Sequence, residues 1–177
     1  MERSKRKPNR LQNYDYSQNG AYFITICTED RKRLLSGIVG GGVLDAPYVE
    51  LTQMGEIVDH QIGEMNQSYQ DVQTVKFVIM PNHLHLLVVI DRESCHGGSG
   101  PSGTPAPTNM TIPRYISTLK RLCNRKIGKN IWQRSYHDHI IRTESDYQMI
   151  WEYIDTNPAV GRRTVSTRRN DHGRKIH

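Results

Sequence analysis

Apolar positions along the chain follow two periods, and their order sketches a fold. Val75 to Met80 and Leu84 to Ile90 are runs rich in Val and Ile on either side of Pro81-Asn82, which predicts two strands joined by a tight turn and lying centrally in a sheet. Ala21 to Cys27 is β-branched and aromatic enough for an earlier strand, and Ile131 to Arg142 for a partly polar last one. Elsewhere the spacing is helical. Thr52 caps a helix in which Met54, Ile57, Val58, Ile62 and Met65 recur. Thr111 caps a second, running to Lys129, with Pro113 in its first turn and Ile112, Tyr115, Ile116, Leu119 and Leu122 as its apolar stripe. Ser145-Asp-Tyr-Gln148 has the form of a capping box opening a third helix that Pro158 closes.

Strand, helix, two strands, helix, strand, helix is an α+β order. With an antiparallel sheet it predicts a ferredoxin-like (RRM-like) core followed by a C-terminal helix. The 177 residues suit a single domain over 21–160, with a basic flexible arm at 1–20 and a basic tail at 161–177. Gly37 to Gly42 is too glycine-rich for regular structure and lacks the Lys-Ser/Thr ending of a phosphate loop, so it reads as a turn. The Gly/Pro/Ser-rich stretch of about 91–110 reads as a mobile loop.

Charge and composition narrow the partners. No apolar stretch approaches membrane-spanning length, and Met1 to Arg10 has no apolar run behind its charges, so neither a membrane nor secretion is expected. Cys27, Cys95 and Cys123 are odd in number and scattered, the pattern of reduced thiols in a cytoplasmic protein. The net charge is +6 with a pI near 9.3. Its excess lies at the ends, on Arg3, Lys5, Arg6, Lys7 and Arg10 and on Arg162, Arg163, Arg168, Arg169, Arg174 and Lys175. Arg114, Lys120, Arg121, Arg125 and Lys126 add a basic face to the second helix. Such groups engage phosphate backbones, and a merely solvated surface is the plain alternative.

Candidate chemistry sits in two places. A strand period of two, extended back by one residue from the Leu84–Ile90 run, puts His83 and His85 on one face, their Cα atoms roughly 6.5 to 7 Å apart. So apolar a strand gains little from two buried imidazoles unless something compensates, and a metal ion is their commonest shared partner. In the last helix Tyr147, Ile150, Trp151 and Ile154 define the buried stripe. Tyr153 lies about 110° from its centre at 100° per residue. His137 and His139 repeat the alternation on the last strand, where they read as surface or DNA-facing groups.

Met80-Pro-Asn-His-Leu-His-Leu-Leu87 resembles the HUH signature of single-tyrosine transposases in the form typical of REP-associated tyrosine transposases. Tyr153-Ile-Asp-Thr-Asn-Pro158 resembles that family's nucleophile element, and Trp132 to Arg142 the segment before it, so the likeness spans most of 21–160. Histidine-triad hydrolases would need a third histidine where Leu87 stands. The resemblance implies the same ferredoxin-like core, with Tyr153 as nucleophile; Tyr136, close to His137 and His139 on a predicted strand but outside the family's motif, is the nearest rival. It implies a divalent ion, Mg²⁺ or Mn²⁺, on His83 and His85, with Asn157 at the position of a family glutamine that completes the site. It further implies cleavage and rejoining of single-stranded or hairpin DNA through a 5′-phosphotyrosine, and it allows a homodimer. Two other classes stay open: a catalytically idle single-stranded or hairpin nucleic-acid-binding module, and a His-dependent phosphoesterase acting on small nucleotides.

Overall fold

The computed structural model describes residues 14–39, 48–92 and 111–157. Its main sheet has four antiparallel strands: β1 (Gly20–Cys27), β4 (Val72–Met80), β5 (His83–Ile90) and β6 (His137–Ile141). A second, two-stranded sheet pairs β2 (Ser36–Val39) with β3 (Tyr48–Leu51) and touches β4, where the Ser36 hydroxyl donates to the Ile79 carbonyl. Three helices complete the fold: α1 (Gln53–Ser68), α2 (Ile112–Ile127) and α3 (Glu144–Thr156). The sheet order is β4-β5-β1-β6. Leaving the small hairpin aside, the core runs β1-α1-β4-β5-α2-β6, and its four strands stand in the spatial order fourth, first, third, second. That is the ferredoxin-like double βαβ arrangement expected above.

The faces of the sheet are covered differently. Tyr22, Ile24, Ile26, Leu84, Leu86 and Val88 point to one side and form the main core with Val58, Ile62 and Met65 of α1 and Tyr115, Ile116 and Leu119 of α2. Their alternates, Phe23, Val78 and Leu87, point to the other side, where α3 lays down Ile150 and Ile154. Each large apolar side chain buried this way contributes about 1.5–3 kcal/mol. Two helix starts are those expected: the Thr52 and Thr111 hydroxyls accept from the N–H groups of Gly55 and Arg114. Gly128, at φ 82°, closes α2 in the left-handed conformation that glycine adopts without strain.

Four expectations need correction. β4 is an edge strand, apolar on both faces because α3 covers the side that a two-layer fold would leave open. The glycine-rich turn begins later than Gly37: Ser36–Val39 is a strand, paired antiparallel with Tyr48–Leu51, and residues 40–47 lie outside the described residues. The cap of α3 is Thr143, whose hydroxyl accepts from the Asp146 N–H, rather than Ser145. The last strand is only His137–Ile141, since Trp132 makes an isolated bridge to Thr28 instead of joining the ladder. Pro158 and most of the 91–110 loop fall outside the described residues.

Candidate functional site

β5 lies between β4 and β1, so its backbone is bonded on both sides and its side chains leave a rigid platform. His83 and His85 project from it toward α3, with their Nε2 atoms 3.1 Å apart and ring centroids 4.6 Å apart. Asn82 Oδ1 accepts from His83 Nδ1–H at 2.7 Å, which leaves His83 Nε2 bare. Thr25 stands opposite His85 in the β1–β5 ladder and places its hydroxyl 2.9 Å from His85 Nδ1. Phe23 stacks on the same ring at 5.0 Å.

Electrostatics keep these rings neutral. Burial, then the neighbouring His83, pushes His85 down to about 4. His83 is lowered too, by burial and then by the Arg31 cation. Neutral imidazoles are the form that ligates metals. Two nitrogens at roughly 2.1 Å from one ion stand roughly 3 Å apart across a right angle, so the observed Nε2 separation fits two donors of one divalent site. Among the described residues no group of three or more His, Cys, Asp or Glu side chains gathers to hold an ion.

α3 brings the nucleophile candidate. Tyr153 is 48% exposed, off the Ile150–Ile154 stripe, and its hydroxyl comes within 3.5 Å of His85 Nε2. Its ring stands edge-on to Phe23 at 6.0 Å and 5.6 Å from the His85 ring. One chain thus carries its own tyrosine to its own histidine pair.

No protein-family model matches the chain. An uncharacterized protein of Haemophilus influenzae is 32% identical over 164 residues, covering 86% of this chain and 88% of its own length. A second protein of that organism, named "Putative REP-associated tyrosine transposase", is 22% identical over 156 residues, 84% of this chain and 76% of that one. The chain's sequence is thus similar to that of a protein named as a REP-associated tyrosine transposase, in line with the motifs around His83, His85 and Tyr153. Its fold is also that of a solved REP-associated tyrosine transposase bound to a REP hairpin, with a TM-score of 0.56 at 21% identity over 84% of this chain and 72% of that one.

The remaining candidates scatter. Asn157 is the C-cap of α3, where the backbone has already left the helix, and its N–H donates to the Tyr153 carbonyl. Among the described residues no hydrogen bond joins its side chain to either histidine. Tyr136 is buried in the core on the opposite side of the sheet. Arg114, Arg121, Arg125 and Lys126 are exposed on α2, across the sheet from the histidines. Lys120 turns inward, donating to the carbonyls of Gln133 and Ser135 at 2.9 Å each. His137 is exposed, whereas His139 pairs with Asp146 at the start of α3. Arg3, Lys5, Arg6, Lys7, Arg162 and Arg163 lie outside the described residues. No helix among the described residues is long and apolar enough to cross a membrane.

Sequence reasoning missed Thr25, Phe23, Asn82 and Arg31. Asn82 was legible only as a turn residue, and the other three depend on strand register and loop path, which carry no local signal. Arg31 reaches the site because buried Thr28 ties its loop to the hairpin turn, bonding the Asn82 carbonyl through both N–H and hydroxyl at 3.0 Å.

Proposed function

We propose that this chain cuts and rejoins single-stranded DNA, at hairpin-forming repeats, through a covalent bond to Tyr153. One observation carries the reading: the Tyr153 hydroxyl faces His85 at 3.5 Å, beside a converging pair of neutral imidazoles. Similarity to a REP-associated tyrosine transposase supports the DNA-processing role, and the hairpin bound to the solved transposase of like fold supports the form of the substrate.

In the proposed step Tyr153 Oη attacks the phosphorus and the bond from phosphorus to the 3′ oxygen breaks. The phenol proton passes to water and the leaving 3′ oxygen takes one up. The strand stays attached as a 5′-phosphotyrosine, and attack by a 3′-hydroxyl reverses the sequence. Phenols ionise near pH ~10, so a tyrosine needs the phosphate made more electrophilic. A divalent ion on His83 and His85, Mg²⁺ or Mn²⁺, would supply Lewis-acid polarisation of that phosphate; imidazole ligands suit Mn²⁺ well. Asn82 and Thr25 hold the two rings in orientation, and Arg31 adds positive charge beside His83.

Incubating the protein with end-labelled hairpin DNA and Mn²⁺, followed by denaturing electrophoresis, tests the proposal. The wild type should give a protein-linked band that Tyr153→Phe loses and that Tyr136→Phe and Tyr147→Phe keep. Hairpin binding with no linked band under either metal would instead support the binding-only module.

A further inference from the structure

α3 is a thin keel. Of its side chains only Ile150 and Ile154 are buried, against Val78 and Leu87 of the sheet, while Tyr147 and Trp151 pack there partly buried. Two isoleucines one turn apart fix where a helix lies on a flat surface far better than they fix its roll about its own axis. Roll is what the chemistry depends on. At a helix radius of about 2.3 Å, a tyrosine hydroxyl stands roughly 9 Å from the axis, so a roll of about 15° moves it roughly 2 Å.

Across the keel from Tyr153 lies a second anchor. Lys76 Nζ sits 2.5 Å from Asp155 Oδ2 and 3.8 Å over the Trp151 ring. At 100° per residue, Tyr153 falls roughly 80° to one side of the two isoleucines, and Trp151 and Asp155 together roughly 100° to the other. The Lys76 side chain is only 11% exposed, against 50% for Asp155, so its ammonium is mostly withdrawn from water and is held by groups of α3. A cation so placed resists any motion that would remove those partners.

The strand is bent to make this contact. β4 has a register shift between Thr74 and Lys76. Thr74 faces the main core, bonding the Tyr115 hydroxyl at 2.9 Å, and Val75 faces α3. Regular alternation would then send Lys76 back into the core. The bulge keeps Lys76 on the α3 side opposite Leu87, and Phe77 takes the core position.

We propose that Lys76 is a positioning residue that sets the roll of α3, and so the aim of the Tyr153 hydroxyl at the histidine pair; the inference rests on the reading of Tyr153 as nucleophile. It acts through Trp151 and Asp155 and has no part in DNA contact.

Lys76→Met keeps the side-chain stem and removes the charge, and Lys76→Arg restores a cation that can meet both partners. Three quantities are compared with wild type: the single-turnover rate of adduct formation at saturating hairpin DNA, the hairpin Kd, and nuclear Overhauser contacts between the Tyr153 and His85 rings. Lys76→Met should slow adduct formation roughly 10–100-fold, the scale of an ångström-sized misplacement, and weaken the ring contacts while leaving Kd unchanged. Lys76→Arg should recover both. If Lys76→Met does not fold, Asp155→Asn, changed at the half-exposed partner, must show the same loss in the same direction. Wild-type rate and ring contacts in the charge-removed variant overturn the inference. Should the wild type form no adduct, the proposed function fails by itself, and the ring contacts alone decide whether Lys76 sets the roll.

Discussion

His85 is a buried polar residue at 7% exposure, and the fold compensates that burial one atom at a time. The Thr25 hydroxyl at Nδ1 can rotate to donate or accept, so it suits either tautomer of the ring and can follow a change at Nε2. Thr25→Val should therefore leave the fold intact while weakening Mn²⁺ binding roughly 10–100-fold, the usual cost of losing an outer-shell partner, as read by calorimetric titration. The depressed basicity of His85 has a stability consequence of definite sign. In the unfolded chain the ring takes up a proton near its ordinary 6.5; in the folded chain it does so only near 4. The unfolded state therefore binds more protons in that window, and the stability present above pH ~6.5 is lost as pH falls toward ~4, by about 3 kcal/mol for the metal-free protein. Urea titrations across this range should show the loss, and His85→Leu should flatten it.

Among the elements, α1 depends on a glycine. A Cβ on Gly55 would lie 2.0 Å from the Leu35 carbonyl oxygen, a backbone atom with no room to yield. Gly55→Ala should destabilise the protein by about 1–3 kcal/mol, measured as a lower urea midpoint at unchanged slope. For α3, Thr143→Ala should cost about 1 kcal/mol and speed amide exchange along that helix more than in α1 or α2. Such elements differed in how far the sequence disclosed them. The β4–β5 hairpin, α1 and α2 were legible because breakers and caps bracket strong periods. The α3 cap was ambiguous because Thr143 and Ser145 are each followed three residues on by a polar side chain, Asp146 or Gln148. The small hairpin was hidden because glycine masks strand propensity. At the site, period two paired the histidines and period 3.6 set Tyr153 off its stripe, so both halves could be read before they were seen together. The bulge that aims Lys76 could not be read, since Val75-Lys76-Phe77 fits an unbroken alternation equally well. Asn157 was placed by its spacing from Tyr153, and spacing says nothing of where a helix unwinds.

At the scale of the whole molecule, the sheet separates two surfaces. The histidines and Tyr153 occupy the α3 face, and the exposed arginines of α2 lie behind the opposite one. Arg121→Ala combined with Arg125→Ala should then reduce the salt slope of DNA binding by roughly 0.7 for each single-strand phosphate that is no longer neutralised, with the adduct rate at saturating DNA unaltered. An unchanged slope would make these arginines ordinary solvated residues. The two halves of the site are also far apart in the order of synthesis: the histidines leave the ribosome with the central strand, and the tyrosine follows with the last helix described. A chain broken between β6 and α3 would keep the residues of all four strands and both imidazoles, leave Val78 and Leu87 uncovered, and lack the attacking hydroxyl. On the proposed reading such a fragment is a natural antagonist, able to occupy the full-length protein's DNA while leaving it uncut.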